Sequence, residues 1–138
     1  MTGTESWFQG HLQELSREQC FELLLSRSVG RVAFTTPDGP EVLPLNYVVH
    51  EETVLFRTSP HSTLGRQLQL ATAAFQVDDI DDFTESGWSV LLRGTVHPVD
   101  VDDLPPADQR PRPWASGLRP LHLRLRPTSV TGRRLLPG

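Results

Sequence analysis

A chain of 138 residues has the size of one domain and can bury about 70% of the surface that its unfolded form exposes. Charged residues make up 22% and apolar residues 37%, so the chain is neither charge-rich enough to be disordered nor apolar enough for lipid, and no run approaches the roughly 18 apolar residues of a membrane span. The net charge of −4, with both signs mixed along the chain, lacks the footprint of a nucleic-acid binder, and Met1 to Ser6 carries neither the basic residues nor the apolar core of a secretory signal. One cytoplasmic domain over 1–138 is expected.

Residues 1–14 show no period and hold Trp7 and Phe8, an arm suited to packing on the domain or on a partner chain. Ser16 with Gln19 forms a capping box, and Phe21, Leu24, Leu25 and Val29 recur at helical spacing until Gly30, which predicts a helix over about 16–28. Cys20 has no partner cysteine and is expected as a buried thiol in that helix. Val32 and Phe34 then alternate with polar or small residues, Pro37-Asp38-Gly39-Pro40 supplies a turn, Glu41 to Val49 returns, and Thr53 to Thr58 is a third β-rich run. These three strands read as a meander. Pro44 inside the second strand places it at an edge, a bulge or a ligand-facing gap.

Ser59-Pro60 reads as an N-cap with proline at the first helical position, and Leu64, Leu68 and Ala71 carry a helix to about Ala73. Ala74 to Val77 is a short strand, Asp78 to Glu85 an acidic loop without calcium-loop spacing, and Trp88 to Val96 a long strand in which Gly94 marks a bulge. Four prolines between Val101 and Pro113 predict a loop with one helical turn near Asp102–Leu104. Leu121, Leu123 and Leu125 alternate with His122, Arg124 and Arg126, and after Pro127 a last strand runs from Val130 to Leu136. Six or seven short strands with two helices on one core predict a mainly β, closed or nearly closed barrel.

The sequence holds no Gly-x-Ser-x-Gly elbow, Walker loop, Gly-x-Gly-x-x-Gly or His-Glu-x-x-His, and its five histidines are scattered singly, so hydrolase, nucleoside-triphosphatase and zinc-protease chemistry have no support. The junction Phe56 to Leu64 is different. Arg57 offers a bidentate guanidinium, Thr58, Ser59, Ser62 and Thr63 offer hydroxyls, and a helix start offers backbone donors, a set suited to a phosphate. Residue physics equally allows a capped helix with an exposed arginine there.

In order along the chain, Gly30-Arg31-Val32-Ala33-Phe34, Pro44 to Val49, Phe56-Arg57-Thr58, Ser86 to Gly94, Pro113-Trp114-Ala115-Ser116-Gly117 and Leu123 to Arg134 resemble the pyridoxamine 5′-phosphate oxidase-like family of flavin-binding split barrels, from about Leu15 to Leu136. The resemblance implies a split barrel of six antiparallel strands that forms a homodimer with FMN, or deazaflavin F420, at the subunit interface. By the family pattern Leu43, Pro44, Leu45 and Asn46 lie along the flavin ring, Arg57 and Thr58 reach the phosphate, and Trp88, Ser89 and Trp114 wall the ring. Thr63 stands where relatives carry a lysine, and Arg66 is the cation placed to replace it. The expected activity is hydride transfer between bound flavin and a small molecule with no side chain as acid or base; the alternative on the same fold is a non-catalytic flavin or haem carrier or sensor.

Overall fold

The computed structural model describes residues 11–137. Strand β1 (His11–Glu14) replaces the last part of the expected arm, whose Trp7 and Phe8 lie outside the described residues. Both halves of the capping box form: the Ser16 hydroxyl accepts from the Gln19 amide at 3.2 Å, and the Gln19 side chain accepts from the Ser16 amide at 2.9 Å. They start α1 (Arg17–Leu25), which buries Cys20, Phe21 and Leu24. The helix ends at Leu25, and Gly30 is not its stop. Gly30 belongs to β2 (Val29–Thr36), where a Cβ would come within 2.3 Å of the Phe75 ring, so only glycine lets strand and ring touch.

The β2–β3 (Gly39–Asn46) hairpin turns at Pro37-Asp38 as expected. The expected second strand divides at Tyr47: β3 pairs with β2, whereas β4 (Val48–His50) pairs with β5 (Thr53–Thr58). The meander is therefore two hairpins that part at one residue. Helix α2 (Thr63–Leu68) is capped by Ser62, not Ser59, and stops short of Ala73 because Leu70 takes a left-handed φ of 60° and gives its amide to the Val96 carbonyl at 2.9 Å. From there β6 (Ala71–Asp81) runs through the expected Ala74–Val77 strand and absorbs Asp78 to Asp81, where Arg31 pairs with Asp78 and Arg27 with Asp79.

Strand β7 (Ser86–Pro98) pairs with β8 (Leu121–Leu136) almost end to end. Arg93 faces Ser129 and Gly94 faces Pro127, so Thr128 is the extra residue of the bulge that Gly94 marked. Pro127, which lacks an amide to pair, sits at that irregularity, and β8 passes it as one strand where two were expected. The gain of β1 and the division at Tyr47, less this merger, account for eight strands in place of seven.

The sheet order is β3-β2-β6-β7-β8-β5-β4, with β1 on the second half of β8. Its two end strands, β3 and β4, are joined by Tyr47 alone, so the sheet has to curl until its ends meet, which makes a split barrel. Tyr47 fastens the seam. Its hydroxyl donates to the Leu24 carbonyl at 2.5 Å, its amide to the Ser28 carbonyl at 3.1 Å, and its ring meets Phe75 edge-on at 5.0 Å; burial pushes the phenol pKa up. Val32, Val54, Phe56, Phe75, Val77, Val90, Leu92, Leu123 and Leu125 fill the inside. Among the described residues no helix is long and apolar enough to cross a membrane.

Candidate functional site

Beyond the seam, continuing the β4–β5 register (Val48 opposite Leu55) brings Asn46 level with Arg57. The segment from Trp114 to Arg119 bridges them. The Trp114 amide donates to Asn46 Oδ1 at 3.0 Å, and Arg57 Nε donates to the Arg119 carbonyl at 3.0 Å. Arg119 closes the segment on itself, its guanidinium donating to the carbonyls of Ala115 and Ser116 at 3.2 and 2.8 Å. Leu43 and Leu45 turn in against the core, so Pro44 and Asn46 turn out, and Pro44 lies on a strand whose other edge has no ladder partner among the described residues. Trp114 is 78% exposed. The structure thus gathers Leu43, Pro44, Leu45, Asn46, Arg57 and Trp114 at one edge of the barrel.

The remaining expected residues lie elsewhere. The Ser62 hydroxyl donates to the Ser59 carbonyl at 2.7 Å and accepts from the Gly65 amide at 2.9 Å, so Thr58 Oγ1, 2.8 Å away, is the donor in their contact. Ser59 Oγ accepts from the His61 amide at 3.2 Å. These hydroxyls are spent on folding the turn into α2. Thr63 and Arg66 face the β2–β3 turn across a cavity of about 480 Å³ that Asp38 and Glu41 also line. Trp88 and Ser89, on β7, are separated from β3 by β2 and β6, and line a third place, an apolar cavity of about 340 Å³ with Leu12, Ile80, Leu135 and Arg133.

Sequence reasoning missed Arg119, which aims Arg57, and His122, which faces Arg57 across the β5–β8 ladder. His122 is buried; its Nδ1 lies 3.3 Å from the Pro120 carbonyl and its Nε2 has no hydrogen-bond partner among the described residues. Burial and the guanidinium of Arg57, and to a smaller extent Arg110, push its pKa below the ordinary histidine value against the opposing pull of the Pro120 carbonyl, so the ring is neutral at pH 7. His122 and Arg124 alternate with Leu121, Leu123 and Leu125 and are both buried, although they lie on the outer face. The proline-rich connection from Val99 to Pro120 covers it, burying Pro105 and Pro111, and no local pattern announces such a long-range contact.

An open edge strand, a pinned loop and the Arg57 guanidinium thus meet at the seam of a split barrel. Residues 16–134 match the family model described as pyridoxamine 5′-phosphate oxidase, and the chain belongs to that family. It is 28% identical over 129 residues to an uncharacterized protein of Mycobacterium tuberculosis, covering 89% of this chain and 85% of that one. It also resembles the structure of the FAD binding protein from Mycobacterium smegmatis (32% identity, TM-score 0.71, 91% of this chain and 99% of the other). A conserved protein of unknown function from Corynebacterium diphtheriae superimposes with TM-score 0.74 at 27% identity, covering 91% and 98% of the two chains.

Proposed function

We propose that this chain binds a flavin at the β3–β5 seam and acts, as a homodimer, as an oxidoreductase on a small molecule. The observation that carries the reading is the double pin on the Trp114–Arg119 segment, at Asn46 and at Arg57, which sets an exposed indole and a guanidinium beside an unpaired strand edge. These groups fit a flavin. The indole and Pro44 suit an aromatic ring, the backbone of Leu43 to Asn46 offers hydrogen-bonding groups along its edge, and Arg57 suits a phosphate. The Thr58 and Ser62 hydroxyls do not add to that grip, being used by the cap.

A bound flavin supplies the hydride chemistry, and the protein supplies binding, orientation and exclusion of water. Asn46 holds the loop in place, Arg57 carries the charge, and Trp114 shields the ring. The Trp88–Ser89 wall stands apart from this cluster in one chain, which favours a dimer in which the partner supplies the second side. Similarity to a FAD binding protein adds FAD to FMN and F420 as ligands to test. The loss of the cap hydroxyls from the phosphate site, with Thr63 in the place of a lysine, favours a second reading as a flavin or haem carrier.

Titration of the purified chain with FMN, FAD, F420 and haem, followed by tryptophan fluorescence and visible absorbance, tests the proposal. Saturable binding of one flavin by a dimer, with turnover on addition of a hydride donor, is expected. Flavin or haem binding without turnover would select the carrier, and no flavin binding would overturn the proposal.

A further inference from the structure

A third cavity, of about 460 Å³, lies on the outer face of the barrel between the β4–β5 turn and the start of the β7–β8 connection. One wall is basic: Arg124 and Arg126, two apart on β8 and so on one face, with His97 opposite Arg124 on β7 and His50 at the end of β4. The other wall is acidic, with Glu51 from the turn and Asp100 and Asp103 from the connection.

Arg124 makes this cavity unusual. It is 7% exposed, yet its side-chain hydrogen bonds go to the Thr53 hydroxyl at 2.6 Å and to His50 Nδ1 at 3.3 Å, and none goes to a carboxylate among the described residues. It takes part in none of the three ion pairs among the described residues. A buried guanidinium is costly unless an anion meets it. Burial and Arg126 lower its pKa, while Glu51 and Asp103 raise it, so these carboxylates are close enough to act on the guanidinium without pairing with it.

The acidic wall is held in place at a conformational cost. Glu51 and Glu52 both take left-handed φ angles, 52° and 58°, in a turn that favours glycine, asparagine or aspartate. Glu52 is engaged by Arg17 at 3.0 Å, whereas Glu51 faces the cavity. Opposite charges thus line one cavity, and among the described residues no ion pair joins them.

We propose that this cavity binds a small zwitterion, an aminocarboxylate whose carboxylate meets Arg124 and Arg126 and whose ammonium meets Glu51 and the aspartates. A simple anion satisfies the arginines but is repelled by three carboxylates, and a simple cation the reverse; a ligand carrying both signs satisfies both walls. The site is separate from the β3–β5 seam, so its test does not depend on flavin.

Isothermal titration of the full chain with glycine, 4-aminobutyrate and 6-aminohexanoate, with acetate and methylammonium as single-charge controls, reads the proposal directly. At least one aminocarboxylate is expected to bind at least about tenfold more tightly than either control, and Glu51→Gln and Arg126→Gln, at positions outside the core, each to weaken it about tenfold with unchanged melting. Absence of binding by all three aminocarboxylates, equal binding of acetate, or unchanged affinity in either variant would overturn it.

Discussion

The two faces of the β5–β8 ladder are both buried, but by different means. Inside, Val54 and Phe56 meet Leu125 and Leu123, side chains that ask only for close packing. Outside, Arg57 meets His122 and Leu55 meets Arg124, and here a proline-rich connection lies over side chains of which, among the described residues, one nitrogen has no hydrogen-bond partner and one guanidinium pairs with no carboxylate. An apolar face is complete once packed, whereas a covered polar face keeps unmet demands. Those demands are where ligands are to be sought.

The largest effect that sharpens this contrast belongs to the inside. Phe75→Ala, which removes the ring that contacts both Gly30 and Tyr47, is expected to cost about 3–5 kcal/mol in urea unfolding, in line with other buried Phe→Ala changes. Ser62→Ala removes the one hydroxyl that caps α2 and receives Thr58, and is expected to cost about 1–2 kcal/mol by the same measurement. Tyr47→Phe removes the phenol's hydrogen bond to the Leu24 carbonyl, which keeps the Arg27 amide as a donor, for about 1 kcal/mol, while the ring contact with Phe75 persists.

The smallest effect lies on the outside, in the pH dependence of stability. His122 has a folded pKa below its unfolded value of about 6.5, so the unfolded chain binds its proton first. Stability from this group is fully present above that value and is lost as pH falls from there toward the folded pKa. His122→Gln is expected to flatten that slope in melts taken downward from about pH 6.5; an unchanged slope would place the titration elsewhere.

Much of the fold was legible because it is local. The Ser16–Gln19 box, the Val32 and Phe34 alternation, the Pro37-Asp38 turn and the Gly94 bulge each write their geometry into neighbouring residues. The division at Tyr47 was not legible, since Glu41 to Val49 is β-rich throughout and only the curl of the whole sheet separates its partners. Nor was the end of α2, which depends on a leucine in a left-handed conformation. Ser59 before Pro60 reads as the cap that Ser62 supplies, and of the four hydroxyls that looked like phosphate donors three, Thr58, Ser59 and Ser62, fold the turn instead. At the seam the resemblance pointed to Asn46, Arg57 and Trp114, which one loop gathers, but Arg119 works through its backbone carbonyl, which no side-chain pattern shows.

The central claim is that the flavin phosphate is held by Arg57 and not by the cap hydroxyls, and paired titrations of Arg57→Ala and Ser62→Ala with the flavin that binds the unaltered chain test it most directly. Arg57→Ala should weaken binding roughly tenfold to a hundredfold with little change in melting, and Ser62→Ala should lower the melting temperature and leave affinity unchanged. Full affinity in Arg57→Ala, or its loss in a folded Ser62→Ala, would contradict the account.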